Sequence, residues 1–376
     1  MPRAVGSPRE VRIAMLSPPW IPVPPPAYGG IEEVVRLLCD GLIAHGHDVT
    51  LFAPPGSRSS ATVAAVLEEP HPNDIEKAQY EVDHVAGAFA AIDQARADGR
   101  PYGVVHDHTG YVALAMADRL DAPLVHTLHG PFDEAACRFY ARHGRKACSV
   151  AISQAQLDDA PPEMDEGRVV PNPIEIGEWP FEPSKQDYLL WMGRMSPDKG
   201  PHRAITAARE AGVPARAGRA GAARPRAVLR RARRAAPRLG RHRVRGRGGG
   251  GGEAQALPER ARLPHADPLG RAFGLVVVEA LACGTPVIAF DEGSAPEVVE
   301  HGRTGFVVED EHAMAAAVER LDEIDPHRCR RSCEERFSVE AVVAGYEAGT
   351  GRPRRATRYT PCTSRASRPA SAGQAG

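Results

Sequence analysis

Short apolar runs alternate with helix-length stretches through the first 176 residues, and that alternation leaves few folds open. Val11 to Leu16, Asp48 to Ala53, Val104 to His106, Pro123 to Leu128 and Ser149 to Ile152 each read as a buried strand. Between them, Ile31 to Ala44, Ile75 to Asp98, Tyr111 to Leu120 and Glu134 to Arg145 carry helical spacing. Apolar strands separated by helices form a parallel sheet covered on both faces. Ligands of such a sheet sit beyond the carboxyl ends of its strands. The loops at that edge read GGIEE, HDHTG and HGPF, so the candidate polar residues gather on one side.

A second α/β unit starts near Tyr188 with the strand YLLWMG, the loop RMSPDKG and a helix from Pro201 to Ala211. A further strand is due there, and the composition collapses instead. From Pro214 to Ala272 the chain holds sixteen arginines, with five consecutive glycines from Gly248. The same stretch has no lysine, serine, threonine, asparagine, isoleucine, phenylalanine, tyrosine or tryptophan. A basic disordered linker has such a composition. Clustered arginine also attracts nucleic-acid phosphate, although the aromatics that stack on bases are missing. The preferred reading is translation of a GC-rich gene in the wrong frame. A one-base shift of a back-translation turns ARAGRA, after Pro214, into Leu-Val-Leu-Ala-Gly-Arg, the missing buried strand. Order returns abruptly at Phe273. From Gly349 to Gly376 no apolar periodicity remains, and that segment reads as a disordered tail.

Four groups of residues carry the chemistry. In FGLVVVEALACGTPVI, from Phe273 to Ile288, a helix opens on the bare Gly274. Its first backbone N–H groups can meet a phosphate without Cβ obstruction. Glu279 follows about one and a half turns later, where a carboxylate can accept from ribose hydroxyls; an ordinary buried helix–strand pair fits the same spacing. Gly29 and Gly30 open the first helix and admit either a ligand or a tight turn. Arg194 and Lys199 follow the first strand of the second unit and can neutralise a diphosphate, or lie solvated near a turn. His106, His108, His126 and His129 cluster at the ends of two strands. They suit either a zinc site, with Asp107 or Asp133, or a hydrogen-bonded core.

Taken together, GGIEE, TLHGP, WMGRMSPDKG and the Phe273–Ile288 run resemble retaining glycosyltransferases of the family 4 type. The resemblance covers Val11 to about Val213 and Phe273 to about Tyr346. It implies the GT-B fold: two Rossmann-like α/β domains whose parallel sheets face each other across a cleft, with the second domain interrupted here. The expected division is an acceptor-side domain over 1–176, a nucleotide-sugar domain over 177–348 with 214–272 irregular, and a tail over 349–376. The segment VVPNPIEI, Val169 to Ile176, takes the place of the interdomain hinge.

What the resemblance implies for activity is transfer of a sugar from a nucleotide-diphosphate sugar to an acceptor hydroxyl, with retention. Phe273, Gly274, Leu275, Glu279, Arg194 and Lys199 would bind the donor, and Gly29 and Gly30 would line the facing wall. His129 would be the catalytic residue nearest the reacting sugar, through a hydrogen bond and not as a base. No metal and no separate cofactor are implied, because the helix terminus and the two cations stabilise the leaving diphosphate. The family pattern has glutamate and proline where this chain has Arg271 and Ala272. The frame shift that restores the strand also converts GRAF into Ala-Glu-Pro-Phe. Impaired transfer is therefore expected of the chain as written. A non-catalytic nucleotide-sugar binder and an arginine-rich nucleic-acid-binding protein are the alternative readings.

A net charge of −1 gives no global argument for nucleic acid or an anionic membrane. The basic run from Arg138 to Lys146 suits a solvated helix face and leaves membrane association open. Seven scattered cysteines without a Cys-x-x-Cys pair, no signal-like N-terminus and no span-length apolar stretch lead to a cytoplasmic expectation.

Overall fold

The structure is a computed structural model that describes residues 10–26, 29–75, 77–164, 167–185, 188–193, 197–218, 263–265 and 273–350. The first unit is built on strands β1 (Arg12–Leu16), β2 (Asp48–Phe52), β3 (Thr62–Ala64), β4 (Val104–Asp107), β5 (Leu124–Thr127), β6 (Cys148–Ala151) and β7 (Arg168–Val169). They form one sheet in the order β3-β2-β1-β4-β5-β6-β7, and every pairing is parallel. Helices α1 (Gly30–Ala44), α2 (Ala78–Ala97), α3 (Val112–Ala115), α4 (Glu134–His143) and α5 (Gln154–Asp158) connect the strands. Two apolar clusters result. Val34, Leu38 and Leu42 of α1 pack with Ile13, Met15 and Leu51, while Val85, Phe89 and Ile92 of α2 pack with Ala14, Leu16 and Val105. Alternate residues of β1 therefore point into different clusters, as in a sheet covered on both faces.

In the second unit β8 (Leu189–Met192) pairs in parallel with β9 (Ala215–Gly218), with α6 (Pro201–Glu210) between them. A second parallel ladder joins β10 (Leu263–His265), β11 (Val287–Phe290) and β12 (Gly305–Val308), and β8 runs beside β10. Helices α7 (Leu275–Ala282), α8 (Ala295–Val298), α9 (Glu311–Val318) and α10 (Pro326–Phe337) accompany them, and α11 (Val339–Thr350) ends the described chain. Val278, Leu281, Ile288, Phe290 and Phe306 are fully buried in one core with Leu189 and Phe337.

Two strands fall inside the stretch expected to be irregular, which corrects that expectation for Ala215–Gly218 and Leu263–His265. A strand ladder is made by backbone N–H and C=O groups, so Ala-Arg-Ala-Gly can complete it without large apolar side chains. In that register Arg216 lies opposite Leu190, and its guanidinium covers the Tyr188 ring at 4.1 Å from the centroid. The rest of the arginine-rich segment, including Arg271 and Ala272, lies outside the described residues, as do Tyr28, Arg194 and the tail from residue 351.

The chain crosses between the units at two adjacent places. Ile174, in the hinge segment, donates its N–H to Phe337 O at 2.9 Å and bridges Ser338 in parallel. Past that point α11 packs on α1 of the first unit. Val339 and Val343 approach Gly41 so closely that a Cβ there would lie 2.5 and 2.7 Å from their methyl carbons. Tyr346 hydrogen-bonds Thr127 at 3.0 Å, and Glu347 bridges His45 and His47 at 3.1 and 3.0 Å. Residues 339–348, placed by sequence at the end of the second domain, thus complete the core of the first, and Gly349 and Thr350, expected to start the disordered tail, continue α11 instead.

Candidate active site

The polar loops of the first unit follow the carboxyl ends of β1, β4 and β5, which lie side by side. Gly29 is the N-cap of α1 in extended conformation. A Cβ on it would stand 2.5 Å from Glu32 Oε2 and 2.8 Å from Pro25, so a bare residue is needed to let the glutamate fold back. Glu32 is buried, and burial raises its carboxyl pKa.

The histidines form two separate arrangements. His126 Nδ1 donates to Asp107 Oδ2 at 2.6 Å, and its Nε2 meets the Tyr140 hydroxyl at 3.0 Å. The other oxygen of Asp107 accepts from the backbone N–H and the hydroxyl of Thr109, at 3.0 and 2.7 Å. Asp107 therefore shapes the turn of the HDHTG loop and fixes the His126 ring. On the opposite side, His106 pairs with Thr127 at 2.9 Å and stacks near His108 with ring centroids 4.4 Å apart. His108 Nδ1 meets His129 Nε2 at 2.9 Å. Burial pushes His129 down to about 4, with neighbouring His126 adding to the drop and Asp107 opposing it. Burial lowers His106 to about 3 and His108 well below its usual value. These rings are neutral at pH 7 and serve as hydrogen-bonding groups. Among the described residues no group of three or more His, Cys, Asp or Glu is arranged to hold a metal ion.

His129 is held by a residue that the sequence reading missed. Gln156, buried on α5, donates its side-chain amide to Leu128 O at 3.3 Å and to Gly130 O at 2.8 Å, the carbonyls on either side of His129. Its Oε1 accepts from Ile152 N at 2.8 Å. The signal was present as Ser153-x-x-Gln156, the spacing of a capping box. Ser153 does accept from Gln156 N at 3.1 Å, but the glutamine side chain reaches one residue further back than that pattern expects.

In the second unit Lys199 closes a 3-10 turn, Pro197–Lys199, after β8, and its carbonyl accepts from Trp191 Nε1 at 3.2 Å. Gly200 then takes a left-handed conformation, φ 60°, and starts α6 at Pro201. Gly274 caps α7 without a side-chain hydrogen bond. The Phe273 ring packs edge-on against Phe337, 5.8 Å between centroids, and Leu275 packs on the second core. What these two residues offer a ligand is backbone. Lys199 and Gly274 follow the carboxyl ends of the neighbouring strands β8 and β10.

Glu279 lies on α7. Enclosure by protein and, after it, the charge of Glu33 on α1 together raise its carboxyl to about 7. The second turn of α7 therefore lies within electrostatic reach of the helix that Gly29 and Gly30 open. Residues 28–177 match the family described as Glycosyltransferase Family 4, and residues 186–323 match Glycosyl transferases group 1. The chain is a glycosyltransferase of the GT-B fold.

Relatives of the transferase span nearly its whole length. A protein named glycogen synthase from Mycobacterium tuberculosis is 28% identical over 88% of this chain and 91% of its own. A D-inositol 3-phosphate glycosyltransferase from Acidothermus cellulolyticus is 28% identical over 84% of this chain and 83% of its own. Among solved structures, sucrose-phosphate synthase from Thermosynechococcus elongatus superposes with a TM-score of 0.63 at 18% identity, covering 91% of this chain and 98% of that one. The Anabaena protein HepE, solved in complex with UDP and glucose, superposes with a TM-score of 0.61 at 19% identity, covering 91% and 99%. No helix among the described residues of the transferase is long and apolar enough to cross a membrane.

Proposed function

We propose that the transferase moves a sugar from a nucleotide-diphosphate sugar to an acceptor hydroxyl with retention of configuration. The observation that carries this reading is the match of residues 28–177 and 186–323 to the two glycosyltransferase families, with Gly274 opening α7 without a side-chain cap; the charge of Glu33 on α1, felt by Glu279 on α7, supports a cleft shared by the two helices. The first amides of α7 lack intrahelical acceptors and suit the diphosphate, with Lys199 and Arg194 as its cations. Glu279 receives the ribose hydroxyls. His129, neutral and half-buried, hydrogen-bonds the donor sugar. In the transfer the bond from the anomeric carbon to the diphosphate oxygen breaks, and the acceptor oxygen bonds to that carbon from the same face. The acceptor proton passes to a departing phosphate oxygen. The complex of Anabaena HepE with UDP and glucose supports a nucleotide donor of this kind.

The chain as written works poorly under this reading, since Arg271 places a cation where the resemblance puts an acceptor for sugar hydroxyls. The frame-shift reading rests on the composition of the arginine-rich segment and on Arg271 and Ala272, since β9 forms from Ala215–Gly218 as written. Resequencing codons 210 to 275 tests it directly. Arg271 also favours the second reading, a non-catalytic nucleotide-sugar binder; hydrolysis and transfer assays beside binding separate the two. Glu279→Ala is the test of the donor site. Affinity for UDP, GDP or ADP, whichever binds, should fall by about 1.5–3 kcal/mol, the worth of hydrogen bonds to a charged group. Unchanged affinity removes the ribose role.

A further inference from the structure

Helix α5 belongs to the first unit, yet its exposed end is completed by the second. The Glu297 carboxylate, on α8, accepts from Gln154 N and from Ala155 N, each at 2.7 Å. Those are the first two amides of α5, which have no acceptor within the helix. Glu297 is itself braced, because Arg336 donates to its backbone carbonyl and to Val298 O. One residue beyond the clamped amides stands Gln156. Its side chain grips the carbonyls of Leu128 and Gly130 and leaves His129 between two fixed points. Six hydrogen bonds thus run from the second unit, through the first turn of α5, to the His129 loop.

We propose that Gln156 is the positioning residue of His129, and that Glu297 couples seating of the nucleotide-bearing domain to the order of the His129 loop. Nothing in this chain of contacts touches the donor nucleotide, which would sit at α7. The loop is held firmly only while Glu297 occupies the end of α5, so the sugar-side hydrogen bond is in place only when the donor domain is closed on its partner. The assignment of His129 to the donor sugar rests on the proposed transferase reading; the mechanical coupling does not.

Hydrogen exchange on the full chain tests the coupling without any substrate. In Glu297→Ala the amides of Gln154 and Ala155 should exchange about tenfold faster, as expected when charge-assisted hydrogen bonds are lost. The loop amides from Leu128 to Gly130 should rise with them. Glu297→Gln, which keeps one acceptor oxygen, should restore protection in part at both places. Gln156→Met should free the loop while leaving Gln154 and Ala155 protected. UDP, GDP and ADP affinities, measured in parallel, should stay within about twofold of wild type in all three variants, since no hydrogen bond to the nucleotide is removed. Faster exchange at 154 and 155 with an unchanged loop would overturn the coupling, and so would a loop untouched by Gln156→Met. Glu297 lies at the surface of contact between the units, so its variants keep the test open if Gln156→Met does not fold. Loss of nucleotide binding only in Glu279→Ala, with the exchange pattern intact, would concern the donor site and leave the coupling standing.

Discussion

Replacing Glu279 by glutamine should make the ligand-free protein more stable at high pH and leave it unchanged at low pH. The carboxyl titrates near its ordinary value of 4.5 in the unfolded chain and near 7 in the folded one. An acid whose folded pKa is raised binds its proton more tightly in the native state, so native stability falls as pH climbs between those two values. Below about 4.5 the group is protonated in both states and costs nothing. Above about 7 it is ionised in both, and the enclosed charge carries its full penalty. A shift of that size corresponds to at most about 3 kcal/mol. Glu279 is only half-buried, so water relieves some of this and about 1–2 kcal/mol is the working expectation. Denaturant unfolding of wild type and Glu279→Gln at half-unit steps from pH 4 to 8.5 measures the difference. The two curves should coincide near pH 4 and separate progressively to about pH 7.5. Glu33→Gln, which removes the second cause of the raised pKa, should make the separation smaller and complete it at lower pH. Parallel curves throughout would show that the carboxyl is not enclosed, and the raised pKa would fall with it.

Gly41→Val should lower stability by about 1–3 kcal/mol, the usual range for overpacking, because its Cβ would meet Val339 and Val343 at 2.5 and 2.7 Å; a denaturation midpoint equal to wild type would contradict the packing of α11 on α1. Asp107→Ala leaves the His126 ring and both Thr109 donors without an acceptor, and should cost about 3–5 kcal/mol, read as a lower melting temperature.

The first unit was legible because its strands are apolar throughout and its helices long, so period and length separate them cleanly. Three short elements escaped for physical reasons. β3 spans only Thr62–Ala64 and β7 only Arg168–Val169, and neither shows a pattern at that length. The five residues of α5 are too few for a helical stripe, and only the Ser153 cap announces them. β9 was missed on composition, since Ala-Arg-Ala-Gly carries nothing that a buried strand ordinarily needs. Of the site, the edge of the first sheet that bears Gly29 and His129 followed from topology, while Gln156 did not. A glutamine that works through two backbone carbonyls far away in sequence shows among its neighbours only as the last position of the Ser153-x-x-Gln156 spacing, which says nothing of those carbonyls. The return of α11 to the first unit was likewise hidden, because Val339, Val343 and Tyr346 have helical spacing whichever core they enter.

That return has a consequence for synthesis. The apolar face of α1 around Gly41 and Leu38 is translated early, but the helix that covers it is the last described piece of the chain to leave the ribosome. Until then the first unit carries an open greasy seam, and its burial waits on a contact of very long sequence separation. Any ribosome that stops or changes frame between β9 and α10 releases a nascent first unit with the seam uncovered, a substrate for chaperones and proteases even though its own sheet is complete.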